Sequence, residues 1–249
     1  MNTAEYARMF EAEERQWWYV GMRAISAALL DGEAPGAPPA TGAFVLDAGC
    51  GSGHNLVHLA GRGRPIGVDL SLDALSFCRS RGVTVARADL LRLPFDDASF
   101  DLVTSFDVLY HAWVEDDRAA AGELARVLRP GGRLLVRVPA LRLLWGAHDE
   151  AVHSRHRYTR GEVTRLISDV GLEVVRASYC NSFLFPLLAV RRTLDRITGR
   201  HGSDVEFLPS PLEWTFRRLL GAEAWLIARG ASFPVGASVV ALARKPAGC

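Results

Sequence analysis

A glycine-rich turn and two downstream aspartates are spaced so that they could hold a nucleotide-like ligand. The turn reads D-A-G-C-G-S-G over residues 47–53 and directly follows an apolar run. Asp69 lies 22 residues after Asp47, and Asp89 lies a further 20 residues along the chain. Glycines allow a sharp turn and a close approach of ligand to backbone, and a carboxylate can accept hydrogen bonds from ribose hydroxyls. A second carboxylate could accept from an exocyclic amine of a base.

Short apolar runs alternate with helical segments over the first 140 residues, as in an α/β fold. The predicted strands cover residues 43–46, 65–68, 83–86, 100–106 and 133–138, and the predicted helices cover residues 54–60, 71–80 and 115–128. This alternation predicts a parallel sheet with helices on both faces. The carboxyl ends of parallel strands share one edge of a sheet, so the turn and both acidic residues should meet along that rim.

The two ends of the chain are predicted to add helices around this single domain. Residues 1–30 have an amphipathic pattern with the aromatic cluster W-W-Y, and we interpret them as an N-terminal helical lid. A helix over 159–170 and a strand over 172–178 are followed by two helices and a last strand, 235–243. The helical segment before that strand is longer than an ordinary connection between two strands. We therefore interpret residues 181–234 as a cap insertion.

Further motifs follow the turn along the chain. They are G-V-D-L-S at 67–71, A-D at 88–89, L-P-F at 93–95, S-F-D-L-V at 99–103 and L-R-P-G-G at 128–132. With the turn, they resemble the class I S-adenosylmethionine-dependent methyltransferases, and E-R-Q-W-W-Y at 14–19 resembles the bacterial small-molecule subgroup. The resemblance implies a Rossmann-like, seven-stranded sheet with an antiparallel last strand. A nicotinamide dehydrogenase is disfavoured because His54 stands where its fingerprint needs a third glycine.

The resemblance also implies S-adenosylmethionine as the cofactor and a set of residues that hold it. These residues come from the N-terminal aromatic segment, the glycine turn and the ends of the next three strands. The set is Trp18, Arg23, Asp47, Gly49, Gly51, Gly53, Asn55, Asp69, Leu70, Asp89, Leu90 and Phe106. Methyl transfer needs alignment of the reactants and exclusion of water, and aromatic faces suit the positive charge of a sulfonium.

Four side chains after the fourth and fifth predicted strands are candidates for the chemistry itself. Histidine is the usual base near neutral pH, and His111 and His148 follow those two strands. Asp149 could orient an imidazole, and Tyr158 falls, with Arg157, directly after the fifth-strand loop. Each histidine could instead be an ordinary surface or hydrogen-bonded loop residue. The spacing of the four cysteines matches no zinc motif, so no metal is expected.

The composition is that of a balanced globular protein, which narrows the classes of partner. The chain has 249 residues, 49% of them apolar and 23% charged, with a formal net charge of +1. That balance argues against disorder and against a strongly basic nucleic-acid binder. The sequence has neither the apolar core of a signal peptide nor an uncharged run of transmembrane length. We therefore predict a cytoplasmic protein without stable membrane insertion.

These observations together predict an enzyme that transfers a methyl group to a small-molecule acceptor. The basic stretch from His153 to Arg165 favours an anionic acceptor. The apolar cap helices could cover a pocket for a natural product or an isoprenoid- or lipid-linked compound, or form a homodimer interface or a membrane-surface patch. Simple packing of these helices on the sheet is the interpretation that needs no ligand or partner. The alternative function is that of a methyltransferase-fold protein that binds the cofactor without transferring methyl, in a binding or ring-forming role.

Overall fold

A seven-stranded sheet forms the centre of the protein in a computed structural model, which describes residues 3–32, 42–198 and 208–248. The strands are β1 Phe44–Ala48, β2 Arg64–Asp69, β3 Val85–Arg87, β4 Phe100–Phe106, β5 Leu128–Pro139, β6 Glu173–Cys180 and β7 Ser238–Arg244. The helices are α1 Thr3–Ala12, α2 Trp17–Gly32, α3 His54–Leu59, α4 Leu72–Ser80, α5 Asp117–Val127, α6 Ala147–Ala151, α7 Arg160–Ser168, α8 Phe185–Thr198 and α9 Ser210–Ala228. Two short 3-10 helices cover Ala60–Arg62 and Arg142–Leu144.

The strands of this sheet follow the order β3-β2-β1-β4-β5-β7-β6. The first five strands of the chain are parallel to one another, and β7 is antiparallel to both of its neighbours, β5 and β6. The order changes direction between β1 and β4, and ligands of open α/β sheets bind in the crevice at such a point. The structure confirms the predicted Rossmann-like class with an antiparallel last strand.

Neighbouring residues of each central strand contribute to different faces of the sheet. Val45 and Leu46 of β1 pair with Leu102 and Val103 of β4. Leu46 and Val103 belong to a core that includes residues of α5 and α7, whereas Val45 and Leu102 belong to a core that includes residues of α2 and α9. Both faces of the sheet are therefore covered by helices, which explains why its strands read as continuous apolar runs.

Helices α2 and α9 form one layer over the second face. They can approach closely because α2 carries a glycine at the contact: a Cβ atom at Gly21 would lie 2.2 Å from Leu220 Cδ1. The first turn of α2 is also attached to α9, since Trp17 N donates a hydrogen bond of 2.8 Å to Glu213 Oε2. The N-terminal segment and the segment 181–234 thus pack against each other on the same side of the sheet.

The N-terminal segment, which was predicted to be helical, contains two helices among its described residues. α1 ends at Ala12 and α2 begins at Trp17, and the four residues between them include two buried polar side chains, Glu13 and Gln16. Gln16 Oε1 accepts a hydrogen bond of 3.1 Å from Trp18 N at the start of α2. Because this connection turns polar groups inward, it brings Glu13 to the rim of the sheet.

Candidate active site

The glycine-rich turn after β1 lies at the carboxyl edge of the sheet. Gly49, Gly51 and Gly53 have φ angles of +82°, +54° and +82°, which residues with a side chain rarely adopt. The N–H groups of Gly49 and Cys50 both donate to the carbonyl oxygen of Val68, at 2.8 and 2.9 Å. The turn is therefore attached to the end of β2, and α3 begins directly after it.

Of the three glycines of the turn, Gly49 is the one at which a side chain should be most destabilising. A Cβ atom there would lie 2.2 Å from Val108 Cγ2, in addition to the strain of a positive φ. We expect Gly49→Ala to lower the free energy of unfolding by about 2 kcal/mol, which urea denaturation can measure. Gly122→Ala is the control, since Gly122 lies in α5 with no atom within 4 Å of a Cβ. If both variants are equally stable, the close approach of Gly49 to Val108 is not required.

Asp47 lies beneath the turn and is completely buried. Its Oδ1 accepts a hydrogen bond of 2.7 Å from the Thr104 hydroxyl, whereas its Oδ2 has no hydrogen-bond partner among the residues that the structure describes. Burial raises the pKa of this carboxyl to about 7, and the Thr104 hydroxyl and Arg137 oppose that rise. The Asp47 side chain therefore joins the ends of β1 and β4.

Asp69 joins the first two loops of the rim. Its Oδ2 accepts a hydrogen bond from Gly51 N and its Oδ1 accepts one from Ser71 N, both at 2.9 Å. Burial raises the pKa of the Asp69 carboxyl, and the two backbone hydrogen bonds oppose the rise. Tyr6 of α1 is in hydrogen-bonding contact with the Ser71 side chain, so α1 covers this part of the rim.

The other predicted residues of the rim have different environments. Asp89 is exposed, and its Oδ1 accepts a hydrogen bond of 3.0 Å from Leu91 N. Leu70 is exposed as well, whereas Leu90 is buried in the core beneath the rim. Phe106, at the end of β4, is half-buried, and its ring lies against the guanidinium of Arg137. Leu90 thus contributes to packing, whereas Asp89 and Leu70 present surface at this end of the rim.

A cavity of about 260 Å³ opens at the carboxyl ends of the central strands, with its walls formed by the N-terminal segment, α6 and α8. Half of the predicted site residues line it: Trp18, Arg23, Gly49, Gly51, Asn55, His111, His148 and Asp149. The other half, all within the described part of the chain, do not line it: Asp47, Gly53, Asp69, Leu70, Asp89, Leu90, Phe106 and Tyr158. The predicted set therefore combines residues of the cavity wall with residues that lie outside it.

A buried ion pair lies in the wall of this cavity. Arg137 of β5 donates to Asp107 Oδ2 from Nε at 2.8 Å and from Nη2 at 2.6 Å. The guanidinium carbon lies 5.2 Å from the ring centroid of Trp18 and 4.9 Å from that of Phe106. Asp107 itself has a φ of +57° directly after β4. The pair fixes the position of a cation, an anion and an aromatic face at the end of two neighbouring strands.

A second buried ion pair holds the loop after β5. Arg157 donates to Asp149 from Nε at 2.7 Å and from Nη2 at 3.0 Å, and Gly146 N donates to Asp149 Oδ2 at 2.8 Å. Both carboxylate oxygens of Asp149 are therefore occupied by a guanidinium and a backbone N–H. The prediction that Asp149 orients an imidazole is wrong in this structure, because its partner is Arg157.

The N-terminal segment is attached to the glycine turn through Glu13. Its carboxylate accepts a short hydrogen bond from the Ser52 hydroxyl and a bond of 3.0 Å from Arg81 Nη2, while Arg23 Nη1 donates to its carbonyl oxygen at 2.6 Å. Burial raises the pKa of the Glu13 carboxyl, and the hydrogen bond from Ser52 and the charge of Arg81 oppose the rise. The segment that includes α1 and α2 is thus connected directly to the loop that follows β1.

Comparison with known proteins agrees with this geometry. Residues 46–136, from β1 to the middle of β5, match the family model described as a methyltransferase domain. Residues 46–136 are a methyltransferase domain. A probable S-adenosylmethionine-dependent methyltransferase of Mycobacterium tuberculosis is 36% identical over 174 residues, which is 68% of this chain and 60% of that protein. The chain therefore spans about three fifths of the length of that relative.

Two further similarities extend the comparison for this methyltransferase. A relative named as a probable tRNA methyltransferase 9B of Bos taurus is 38% identical over 101 residues, 40% of this chain and 22% of that protein. An S-adenosylmethionine-dependent methyltransferase of Mesorhizobium loti has a similar solved structure, with a TM-score of 0.58, 20% identity and coverage of 91% of this chain and 98% of that one. The family and sequence matches confirm the predicted methyltransferase family for residues 46–136, with S-adenosylmethionine as the cofactor named for the relatives, and the solved structure supports the fold.

Two observations indicate that the residues of the rim could hold S-adenosylmethionine. No atom lies within 4 Å of where a Cβ would stand at Gly51, so there is open space over the turn. Asp69, at the end of β2, presents a carboxylate that two backbone N–H groups hold in place. We propose that Asp69 would hold the ribose hydroxyls and that Gly49 and Gly51 would allow close approach of the methionine part.

His111 is buried in the cavity wall of the methyltransferase. Its Nδ1 donates a hydrogen bond of 2.8 Å to the carbonyl oxygen of Val152, so Nε2 is the nitrogen without a proton when the ring is neutral. The ring stacks on Trp113, with centroids 4.7 Å apart. Burial lowers the pKa of His111 to about 4, and the hydrogen bond to Val152 opposes the shift. Neutral His111 is therefore the form that could accept a proton at neutral pH.

The lowered pKa of His111 predicts a loss of stability in acid. The folded pKa of about 4 lies below the ordinary value of 6.5, so the unfolded chain binds the proton first and stability falls as the pH drops from 6.5 towards 4. His111→Asn keeps a donor for Val152 and removes the titration. Between pH 7 and 4.5, we expect the variant to lose about 2 kcal/mol less unfolding free energy than the wild type in urea. Equal losses would show that His111 titrates normally.

Tyr158 has a structural position rather than the catalytic one predicted. Its hydroxyl donates to Asp117 Oδ2 at 2.8 Å, with the carbonyl oxygen of Leu109 at 3.2 Å, and burial raises the pKa of the phenol. This side chain holds the loop after β4 against the start of α5. His148, in contrast, lines the cavity as predicted.

The lining residues that were not predicted from the sequence include four polar side chains with buried contacts or ion pairs. Glu13, Asp107, Arg137 and Asn181 all line the cavity of the methyltransferase, and none belongs to a motif with an obvious chemical role. Asn181 is almost fully buried after β6, with a φ of +55° and a side-chain oxygen that has no partner among the described residues. Its place in the sequence Y-C-N-S, at the end of a predicted strand, was the available signal.

Proposed function

We propose that the protein transfers a methyl group from S-adenosylmethionine to a small anionic acceptor. The observation that carries this proposal is the charge of the cavity wall. Five arginines and three carboxylates line a cavity of about 260 Å³, so positive charge is in excess. The arginines are Arg23, Arg137, Arg157, Arg191 and Arg192, and the carboxylates are Glu13, Asp107 and Asp149. Arginine recognises carboxylate and phosphate groups with paired hydrogen bonds.

The residues around the cavity suit a displacement reaction, which needs alignment of the two reactants and exclusion of water. When bound, S-adenosylmethionine supplies a methyl group on a positively charged sulfur. The aromatic residues Trp17, Trp18 and Tyr110 provide apolar walls for the reacting atoms. Neutral His111 can take the proton of an acceptor hydroxyl or amine at Nε2, and the unpaired oxygen of Asn181 can accept a hydrogen bond from the acceptor. The catalytic roles of His111 and His148 remain proposals.

The predicted lid and cap also remain proposals, and their packing supports them. Glu13 attaches residues 1–30 to the glycine turn, so displacement of this segment would open the cavity. Leu188, Arg191 and Arg192 of α8 line the cavity from the segment 181–234. Both segments are therefore in a position to exclude water from the acceptor.

A nucleic-acid acceptor is the second candidate, because one relative is named for tRNA. That relative matches only 40% of this chain, and the net charge of the whole protein is +1. Strong RNA binding requires several phosphate contacts on a basic surface, for which the cavity is too small. We therefore favour the small acceptor. Cytoplasmic localisation and a role in natural-product biosynthesis stay predictions.

Mass spectrometry of a fractionated cell extract tests the proposed acceptor class. The extract is incubated with the protein and methyl-deuterated S-adenosylmethionine, with His111→Asn and an incubation without protein as comparisons. We expect a deuterated methyl group on carboxylate- or phosphate-bearing small molecules and slower labelling with His111→Asn. Label confined to the RNA fraction would contradict the proposal. Cofactor binding with no labelled product would favour the non-transferring alternative.

A further inference from the structure

The helix α8, Phe185–Thr198, presents its apolar face to solvent. Leu187, Val190, Leu194 and Ile197 are 53%, 58%, 54% and 75% exposed. Their spacing of three, four and three residues places them on one face of the helix. An ordinary surface helix turns such a face towards the core, so this orientation is the reverse of the usual one. None of the described residues of α8 is fully buried.

The opposite face of α8 attaches the helix to the loop after β5. Arg196 Nη2 donates to the carbonyl oxygen of Leu143 at 2.6 Å and to that of Trp145 at 3.0 Å. Leu188 and Arg192 of the same face line the cavity. The polar side of α8 is therefore used within the fold, and the apolar side is held outward. Leu143, itself 56% exposed in the adjoining 3-10 helix, adds to the apolar surface.

The charges around this apolar face are mostly positive. Beside this face, Arg191 of α8 is exposed and lies 3.8 Å from half-buried Asp195, and Arg142 is exposed in the adjoining 3-10 helix, whereas Arg192 and Arg196 belong to the opposite face. Two copies of this face would bring like charges together, whereas an anionic lipid surface would complement them. An apolar stripe bordered by arginines is typical of helices that lie in the plane of a membrane interface.

We propose that α8 binds the surface of an anionic bilayer and that the apolar side chains Leu187, Val190, Leu194 and Ile197 insert among the lipids. This is a peripheral contact, because no helix within residues 3–32, 42–198 and 208–248 has the length and hydropathy of a membrane span. The affinity should combine buried apolar area with attraction of the arginines to the headgroups.

The position of α8 relates this surface to the acceptor. Leu188, Arg191 and Arg192 belong to the same helix and line the cavity, so the cavity borders the proposed lipid contact. This step rests on the proposed function. It narrows the acceptor to an amphiphile whose anionic head enters the cavity from the bilayer while its apolar part stays in the lipid.

Co-sedimentation with vesicles tests the lipid contact. The full chain is mixed with vesicles of phosphatidylcholine alone or of phosphatidylcholine with phosphatidylglycerol. We expect binding to the anionic vesicles, weaker binding in high salt, and a loss of about tenfold or more for Val190→Gln/Leu194→Gln. Val57→Gln/Val175→Gln is the matched control, since both valines are exposed at 46% and 45% on other elements, and it should bind as the wild type does.

Two results would overturn the lipid contact. One is an equal amount of sedimented protein with and without anionic vesicles. The other is a dimer in light scattering that the α8 variant, but not the control, converts to monomer, because the face would then join two copies. Thermal stabilisation by S-adenosylmethionine is measured on the same variants. It should be unchanged, so a failure of lipid binding is distinguishable from a failure of the proposed function.

Discussion

Replacing Asp69 with alanine should weaken S-adenosylmethionine binding at least about 100-fold. The variant loses a carboxylate that would accept two hydrogen bonds from the ribose, each worth about 1.5–3 kcal/mol for a charged acceptor. It also loses the two bonds from Gly51 N and Ser71 N that join the loops after β1 and β2. Isothermal titration calorimetry measures the dissociation constant directly.

Asp31→Ala is the control for this experiment. Asp31 is a carboxylate at the surface, 65% exposed in its side chain and paired with Arg62, so its loss should leave the affinity unchanged. Circular dichroism establishes that the Asp69 variant is folded. Unaltered affinity in folded Asp69→Ala would mean that the ribose binds elsewhere, and the assignment of the rim would be wrong.

Replacing Arg137, which is buried and paired with half-buried Asp107, with methionine should lower the free energy of unfolding by about 2 kcal/mol. The Arg137 guanidinium is 6% exposed and bonded to Asp107 at 2.6 and 2.8 Å, so the variant leaves a carboxylate without its cation in the cavity wall. Removing one partner of a buried pair costs more than the pair contributes, because the remaining charge stays desolvated. Urea denaturation at neutral pH measures the change.

The double variant Arg137→Met/Asp107→Asn distinguishes the coupling between the two charges from the separate effect of each substitution. Removing both charges should recover at least about 1 kcal/mol relative to Arg137→Met alone. Arg62→Met, which breaks the surface pair with Asp31, should cost less than about 1 kcal/mol. Simple addition of the Arg137 and Asp107 effects would contradict a coupled pair in this wall.

The strand pattern could be predicted because buried parallel strands are short apolar runs between turn signals. The predicted strand 100–106 coincides with β4, and the antiparallel last strand is confirmed. The start of β5 was predicted five residues late, at Arg133. The P-G-G sequence reads as a stop, yet Leu128 still pairs with Phe100 before a register shift. The P-G-G sequence does interrupt the regular pairing, as predicted, but the pairing of Leu128 with β4 extends β5 to the other side of the interruption.

The site was predictable where sequence spacing alone determines position. The glycine turn and Asp69 lie at consecutive strand ends, so the topology places them on one rim. The ion pairs Arg137–Asp107 and Arg157–Asp149 could not be predicted from the sequence. Each joins two residues whose contact depends on strand register or on loop conformation. For the same reason, the sequence could not show that the Tyr158 hydroxyl donates a hydrogen bond to Asp117 of α5 and does not line the cavity.

Transfer of a labelled methyl group from S-adenosylmethionine into a non-macromolecular fraction tests the central claim most directly. The wild type and Asp69→Ala are incubated with cell extract, and protein, RNA, lipid and small-metabolite fractions are counted separately. We predict label in the lipid or small-metabolite fraction with the wild type and background counts with Asp69→Ala. Label in RNA or protein alone, or equal labelling by the two proteins, would contradict the proposal that this rim and cavity methylate a small acceptor.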